Sequence, residues 1–342
     1  METLNLCQVL GGAEHGGLER HFAELSGALA ERGHRVTAIA HPRHVLDLPA
    51  TVDFVPLDLA RGRRNPFLLY RLARILRERR PDLVHAQAGK AAALLASLRR
   101  WLPGPMVATV HNIKRDQRPL RRFDAVIAVS RTVAASLREI EASVVYNGIR
   151  PPPAPEAAVT AVLRGRFAHG GRPLALAVGR LVPAKGFDLL LEAWRGLDAG
   201  LLIAGEGPLH EALADGIRRH GLDDRVRLLG QCSEVPALMA AADLVVMPSR
   251  HEGLPYVLLE ALHLRRPVVA SRVAGADELL PPAWLAPPGD AAGLAAVLRR
   301  ALAGPEVLAA DMEPAWRRAA RSLTLEAMAA DTEAVYRRVL HG

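Results

Sequence analysis

The stretch D-L-V-V-M-P-S-R-H-E-G-L-P-Y-V-L-L-E-A-L, Asp243 to Leu262, holds one repeat of an architecture. Leu244–Met247 is a short apolar run stopped by Pro248, as expected of a strand buried on both faces. A polar loop, S-R-H-E-G-L, leaves the carboxyl end of that strand. Pro255 suits the first position of the following helix, where a missing N–H costs nothing. Strand, loop and helix in this order make the repeating unit of a parallel α/β sheet. Two carboxylates frame the junction, Glu252 in the loop and Glu260 within V-L-L-E-A-L. An unpaired charge among those apolar neighbours would be costly, so the spacing asks for a ligand or a partner. A capping glutamate followed by an exposed helical one is the plainer alternative.

The same unit recurs outward in both directions. Strands are expected near Leu4–Leu10, Arg35–Ala40, Leu83–Ala86, Met106–His111, Ala125–Val129 and Val144–Tyr146. Helices fall between them at Leu18–Arg32, Pro66–Arg79, Lys90–Trp101 and Thr132–Ile140. The prolines of N-G-I-R-P-P-P-A-P-E, from Asn147, mark a linker. Strands resume at Leu174–Val178, Gly200–Ala204, Val226–Leu229 and Val268–Ala270, with helices from Asp290 onward and caps at Asp290 and Thr324. The chain of 342 residues exceeds the usual size of one core. The expected division is 1–165, 166–322 and a last helix, 323–342. The fold class is α/β, with two doubly wound Rossmann-like domains whose ligand sites lie at strand carboxyl ends facing an inter-domain cleft.

Half of the residues are hydrophobic, yet no apolar run approaches bilayer-spanning length. The N-terminus reads as a first strand rather than a signal peptide. Cys7 and Cys232 lie far apart without partners at metal-ligand spacing, which suits a reduced cytoplasmic setting. The net charge is +8, and residues 1–165 carry 24 Lys+Arg against 15 Asp+Glu, so the whole excess lies in the first half. With 4% aromatic residues and no recognition motif, nucleic acid is not an expected partner.

Two further stretches bear on an anionic ligand. In A-V-G-R-L-V-P-A-K-G-F-D, Ala177 to Asp188, a strand delivers Arg180 and a helix opening carries Lys185, one of three lysines in the chain. A guanidinium fork and an ammonium at one strand end suit a diphosphate; two surface cations are the plainer alternative. The first strand ends in G-G-A-E-H-G-G-L, Gly11 to Leu18, whose glycines let backbone N–H groups approach an anion at a helix start. It has neither a Walker lysine nor the dinucleotide spacing, and a simple strand-to-helix turn would serve as well.

Taken in order, Gly16-Gly17 with Gly33-His34, V-Y-N-G-I, G-R-L-x-x-x-K-G, A-G-E-G-P-L, the two glutamates and P-V-V-A-S resemble a retaining glycosyltransferase of the GT-B fold, family 4, over nearly the whole chain. The resemblance implies that Glu260 holds the ribose of a sugar nucleotide and Glu252 the donor-sugar hydroxyls. Arg180 and Lys185 would neutralise the leaving diphosphate, with Gly16 and Gly17 beneath it. His111 would line the donor-sugar pocket, the amides of Gly253 and Leu254 would meet the phosphate, and Leu229-Gly230 would edge the base pocket. Two positions depart from the family pattern. Arg150 follows N-G-I where aspartate is usual, and Pro255 replaces a frequent glycine.

No D-x-D triplet is present to chelate a metal, so neither cofactor nor metal is expected and the fixed cations take that role. The family implies retention of anomeric configuration and transfer to a glycan or lipid-linked acceptor of cell-envelope or lipopolysaccharide type. Asn65–Arg80, amphipathic with Leu68, Leu72, Ile75 and Leu76 on one side, and the basic run H-N-I-K-R-D-Q-R-P-L-R-R-F, His111 to Phe123 with Lys114, suit an anionic membrane surface. A peripheral position on the inner membrane face, or a purely solvated helix, both fit. An epimerase or phosphorylase-like enzyme, or a non-catalytic nucleotide-sugar binder, would share these motifs.

Overall fold

The computed structural model describes residues 2–342 except 13, 15, 60, 61, 63, 64, 103, 114, 115, 169 and 170. Lys114, and Ala13 of the first glycine stretch, therefore lie outside the described residues. The chain forms two compact units, 1–148 with 323–342, and 149–322.

The first unit is built on seven parallel strands: β1 (Asn5–Leu10), β2 (Arg35–Ala40), β3 (Asp53–Pro56), β4 (Leu83–Gln87), β5 (Met106–Val110), β6 (Ala125–Ala128) and β7 (Ala142–Val144). Their order is β3-β2-β1-β4-β5-β6-β7, the doubly wound pattern with its switch point between β1 and β4. Strand β3 was not expected from sequence. It is a partly exposed edge strand ending in Pro56, too short and too polar to show alternation. The helices are α1 (Gly17–Glu31), α2 (Pro66–Arg79), α3 (Ala88–Leu98) and α4 (Arg131–Ala135). α4 ends at Ala135, short of the expected Ile140: the Leu137 amide bonds the Ala134 carbonyl in a tighter turn, and Glu139 lies in the left-handed region at φ 56°.

α2 shows how local chemistry sets an element. The Asn65 side chain accepts hydrogen bonds from the Phe67 and Leu68 amides at 3.0 and 3.2 Å, Pro66 occupies the first turn, and Arg80 ends the helix at φ 45°. Leu68, Leu72 and Leu76 are buried, each contributing about 1.5–3 kcal/mol. The leucine stripe therefore faces the core and is not a membrane-binding face. What the outer face shows instead is Phe67 at 66% and Tyr70 at 64% exposure, with Arg71, Arg74 and Arg77 also exposed.

The second unit carries α5 (Ala157–Phe167) and six parallel strands: β8 (Leu174–Val178), β9 (Gly200–Ala204), β10 (Val226–Gly230), β11 (Leu244–Met247), β12 (Val268–Ser271) and the two-residue β13 (Leu285–Ala286). Their order, β10-β9-β8-β11-β12-β13, repeats the doubly wound pattern with the switch between β8 and β11. The intervening helices are α6 (Phe187–Ala193), α7 (His210–Arg219), α8 (Val235–Ala241), α9 (Tyr256–His263), α10 (Ala276–Leu279), α11 (Ala291–Ala303) and α12 (Pro305–Ser322). α5 packs on α8, which is why the first break falls at 148/149 rather than at the expected 165/166.

The last helix, α13 (Leu325–His341), belongs to the first unit and packs on α1. Thr324 caps it by accepting from the Ala327 amide at 3.2 Å. Gly148 sits beneath this entry: a Cβ there would lie 1.9 Å from the Thr324 carbonyl oxygen, so the glycine of V-Y-N-G-I is required by close backbone approach. Within the helix, Glu333 is 3% exposed. Its carboxylate accepts from Arg32 Nε at 2.8 Å and from Arg337 Nε and Nη2 at 2.8 and 2.6 Å. His34 accepts the Leu4 amide at Nδ1, 3.2 Å, and turns Nε2 toward Glu333 at 3.4 Å. Gly33-His34 thus serves the packing of α13.

Candidate active site

The loops at the carboxyl ends of β8 and β11 meet at the switch point of the second sheet. After β8, Gly179 leads to Arg180, which is exposed, and a tight turn at Pro183–Lys185 precedes α6. Lys185 folds back so that its Cε would lie 3.4 Å from a Cβ at Gly179. Its Nζ donates to Glu252 Oε1 at 2.5 Å, and the Ser249 hydroxyl donates to the same oxygen at 2.8 Å. The two side chains of the ion pair are 24% and 11% exposed. One ammonium hydrogen and one carboxylate oxygen are thereby committed, which leaves further donors on Lys185 and the second oxygen of Glu252 to meet a ligand.

A second set of contacts holds the two loops in register. The Arg250 guanidinium makes a two-pronged bridge to Asp188 at 2.8 and 2.7 Å, and Nη1 also donates to the Pro183 carbonyl at 2.8 Å. The Arg250 amide donates to the Ala184 carbonyl at 2.8 Å. The paired guanidinium holds the Asp188 carboxyl below its ordinary range. Gly186, at φ 67°, would drive a Cβ to 2.1 Å from the Pro248 carbonyl oxygen, so the glycine after Lys185 is fixed by this crossing. Neither Arg250, Asp188 nor Ser249 was expected from sequence. The signal was present only as an acidic residue in the first turn of α6 and a serine-arginine pair leaving β11.

The remaining predicted residues of this unit occupy the same end of the sheet. Gly253 and Leu254 are buried just ahead of α9. Pro255 is not the first helical residue but the one before it, with φ −76° and ψ 137°, because its extended ψ keeps it outside the helix. Glu260 is half-buried in the middle of α9. At the end of β10, the Gly230 carbonyl accepts from the Gly205 amide at 2.8 Å, and the Leu181 amide donates to the Glu206 carbonyl at 2.8 Å. These bonds align Leu229-Gly230, the A-G-E-G-P-L loop and Arg180 along one row of strand ends.

In the first unit, Gly16 is the capping residue of α1 and Gly17 its first residue. Glu19, in that first turn, is buried, and its carboxylate oxygens lie 3.1 and 3.4 Å from where Cβ atoms would stand on Gly12 and Gly16. The N-terminus of α1 therefore has its own negative partner. His111, just past β5, is half-buried; its Nε2 lies 3.0 Å from Gln87 Oε1, and its ring meets His21 edge-on at 4.5 Å. Burial pushes His21 down to about 4 against a small opposing effect of Asn147, so it is neutral at physiological pH.

Two doubly wound parallel sheets in succession, one with a cation–carboxylate cluster at its switch point, define the GT-B class. The family profile described as "Glycosyltransferase Family 4" matches residues 15–151, and "Glycosyl transferases group 1" matches residues 172–304. The chain is 30% identical to the 2-deoxystreptamine N-acetyl-D-glucosaminyltransferase of Streptomyces fradiae over 344 aligned positions, covering 82% of this chain and 80% of that protein. It is 29% identical to the lipopolysaccharide core biosynthesis glycosyltransferase LpsD of Rhizobium meliloti, covering 83% and 84%. The match to the alpha-D-kanosaminyltransferase of Streptomyces kanamyceticus, 34% identical, spans 52% of this chain and 49% of that protein, about half of each. Among solved structures, HepE of Anabaena in complex with UDP superposes with a TM-score of 0.83 at 23% identity, covering 98% of this chain and 100% of that one. This chain belongs to the glycosyl transferases group 1, glycosyltransferase family 4, a family of transferase enzymes. Among the described residues, no helix is long and apolar enough to cross a membrane.

Proposed function

We propose that the protein moves a sugar, with retention and without a metal, from a nucleotide-sugar donor to a glycan or lipid-linked acceptor of the cell envelope. The observation that carries this reading is the Lys185–Glu252–Ser249 cluster at the switch point of the second sheet. Cleavage of a sugar nucleotide builds charge on the departing diphosphate, and a fixed ammonium with the nearby Arg180 guanidinium lowers the energy of that state. Glu252, held by two donors on one oxygen, offers the other to sugar hydroxyls. Glu260 takes the ribose, and the amides of Gly253 and Leu254, ahead of the α9 N-terminus, meet the phosphate. Leu229-Gly230 borders the base: β10 stands two strand spacings from β8, about 10 Å, which suits an extended nucleotide lying across the strand ends. In the first unit, the backbone amides at Gly16 and Gly17, where α1 begins, lie beneath the diphosphate. His111 lines the donor-sugar pocket.

The HepE neighbour was solved with UDP and with UDP-glucose, which makes UDP the first donor nucleotide to test. A thermal-shift panel of UDP, GDP, ADP and their sugars is the direct measurement. At a thousandfold excess over Kd the matching nucleotide stabilises by about 4 kcal/mol. A panel without any shift would leave the donor reading unsupported.

For the acceptor, similarity to LpsD favours a lipopolysaccharide-type glycan. A peripheral place on an anionic membrane is supported by the outer face of α2. Phe67 and Tyr70 project there among arginines, and Trp101, 56% exposed, is tied in by Arg77 Nε donating to its carbonyl at 3.4 Å. Aromatic side chains among cations suit a lipid headgroup layer. Sedimentation with anionic vesicles at low salt should occur and should weaken when Phe67, Tyr70 and Trp101 are changed together to alanine. Equal sedimentation of the triple variant would remove this face from the proposal.

A further inference from the structure

The second unit holds a cavity of about 430 Å³, within the size range of small-molecule sites. It lies at the amino ends of β8, β9 and β10, beside the C-terminus of α5, whereas the candidate active site lies at the carboxyl ends of this sheet. Leu174, Leu202, Leu228 and Leu229 form its apolar lining, with Phe167 and Ala168 from the end of α5. The strand register accounts for this lining. Arg227 pairs with Leu202 and Gly200 with Leu174, which sets these residues on one face of the sheet. Between Leu228 and Gly230 the register shifts, and this bulge lets two successive leucines line one cavity where a regular strand would turn them apart. β10 is also the edge of its sheet, so Leu228 and Leu229 stay half-buried.

Four arginines line the cavity, Arg166, Arg172, Arg225 and Arg227, against one acid, Asp224. That acid is already answered. Its carboxylate accepts from Arg225 Nε at 3.0 Å and lies 3.5 Å from Arg172 Nη1, and Arg172 is bound in turn to Asp198 at 2.6 Å. The other two arginines have no carboxylate partner among the described residues. Arg227 Nη1 donates to the Asp223 carbonyl at 2.5 Å, and the Arg166 guanidinium lies 5.0 Å from the centre of the Phe167 ring. An apolar cavity is thus flanked by two uncompensated cations, one from α5 and one from β10. Each guanidinium is a fork that matches phosphate oxygens, and a doubly charged phosphate answers two of them. We propose that this cavity binds a small phosphomonoester, its phosphate held between Arg166 and Arg227 and its apolar body laid on the leucines and Phe167. Leu229 is common to this cavity and to the edge of the base pocket in the reading above, but the cavity itself does not depend on that reading.

The probe is phenyl phosphate, titrated by calorimetry into the full-length protein, with inorganic phosphate and benzyl alcohol supplying the charge and the body alone. Phenyl phosphate should bind about tenfold or more tightly than either. Arg166 and Arg227 are exposed, so Arg166→Gln with Arg227→Gln should weaken binding by about tenfold or more and leave Tm unchanged. Ala168→Phe fills the cavity without altering its charge and should abolish binding. Lys185→Ala, a change at the donor site, should leave binding as it is, so a failure of the donor reading is seen separately in the nucleotide panel. Undetectable binding of phenyl phosphate, or binding that persists in both cavity variants, overturns the proposal. Binding lost in Lys185→Ala also overturns it, because the phosphate then sits in the donor site. Equally tight binding of inorganic phosphate overturns the role given to the leucines and Phe167.

Discussion

Lys185→Ala is expected to lower kcat by about 100- to 1000-fold, the cost of removing one preorganised donor from a site of developing negative charge. The size follows from how few groups can substitute. Lys185 is half-buried over Gly179, its ammonium is directed by Glu252, and its backbone is held by the Gly186 crossing under Pro248. Arg180, one residue beyond Gly179, is exposed, where solvent weakens the hold of its charge on the diphosphate. The variant also leaves Glu252, 11% exposed, with Ser249 as the donor on its bound oxygen, so some loss of thermal stability accompanies the kinetic loss. Lys185→Arg restores the charge but not its compact placement and should recover only part of the rate. Steady-state kinetics with unfolding curves on the same samples separate the effects. A Lys185→Ala enzyme with near wild-type kcat would mean that the diphosphate is neutralised elsewhere.

The second large effect is on stability. Glu333→Ala should destabilise the first unit by about 3 kcal/mol, as expected when one partner leaves a buried charge network. Arg32 and Arg337 each reach this carboxylate from outside the core, and His34 reaches it from the start of β2. Burial alone would raise the Glu333 carboxyl. The hydrogen bonds from Arg337, Arg32 and His34 outweigh it and hold the group at about 2. Its folded value is thus depressed below the unfolded one, near 4.3. The stability it contributes is complete above that unfolded value and is lost as pH falls toward 2. Between those limits the acid limb of the wild-type unfolding profile should be steeper than that of Glu333→Gln. Superimposable acid limbs would show that Glu333 is ionised no more easily in the fold than out of it.

Much of this was written locally. Leu174–Val178, Gly200–Ala204 and Leu244–Met247 are strands over the residues their apolar runs indicate, because doubly covered strands must be apolar throughout. β3 and β13 escaped for the opposite reason, being a half-exposed edge and a two-residue pairing with no period to detect. α5 was hidden by the prolines before it. At the site, Arg180, Lys185 and Glu252 could be chosen from position after strands and at helix starts. Their mutual pairing could not, because Lys185 and Glu252 meet only once β8 and β11 lie side by side. Gln8 and Tyr336, whose side chains hydrogen-bond at 2.9 Å inside the first unit, are still further apart in the chain. A local hint of buried polar side chains there was H-x-Q at 85–87, two polar residues on the same face of a strand that should have been wholly apolar.

The close approach of Gly148 to Thr324 has a topological meaning. The main chain leaves the first unit and re-enters it at nearly the same point, so residues 149–322 are an insertion into a single loop of an otherwise continuous fold. Both ends of the gap are held by the first unit's own backbone. While residues 149–322 are unfolded, closing the first unit over them carries the entropy cost of a long loop, a cost that grows only slowly with length, and once they are folded the excursion acts as a short one.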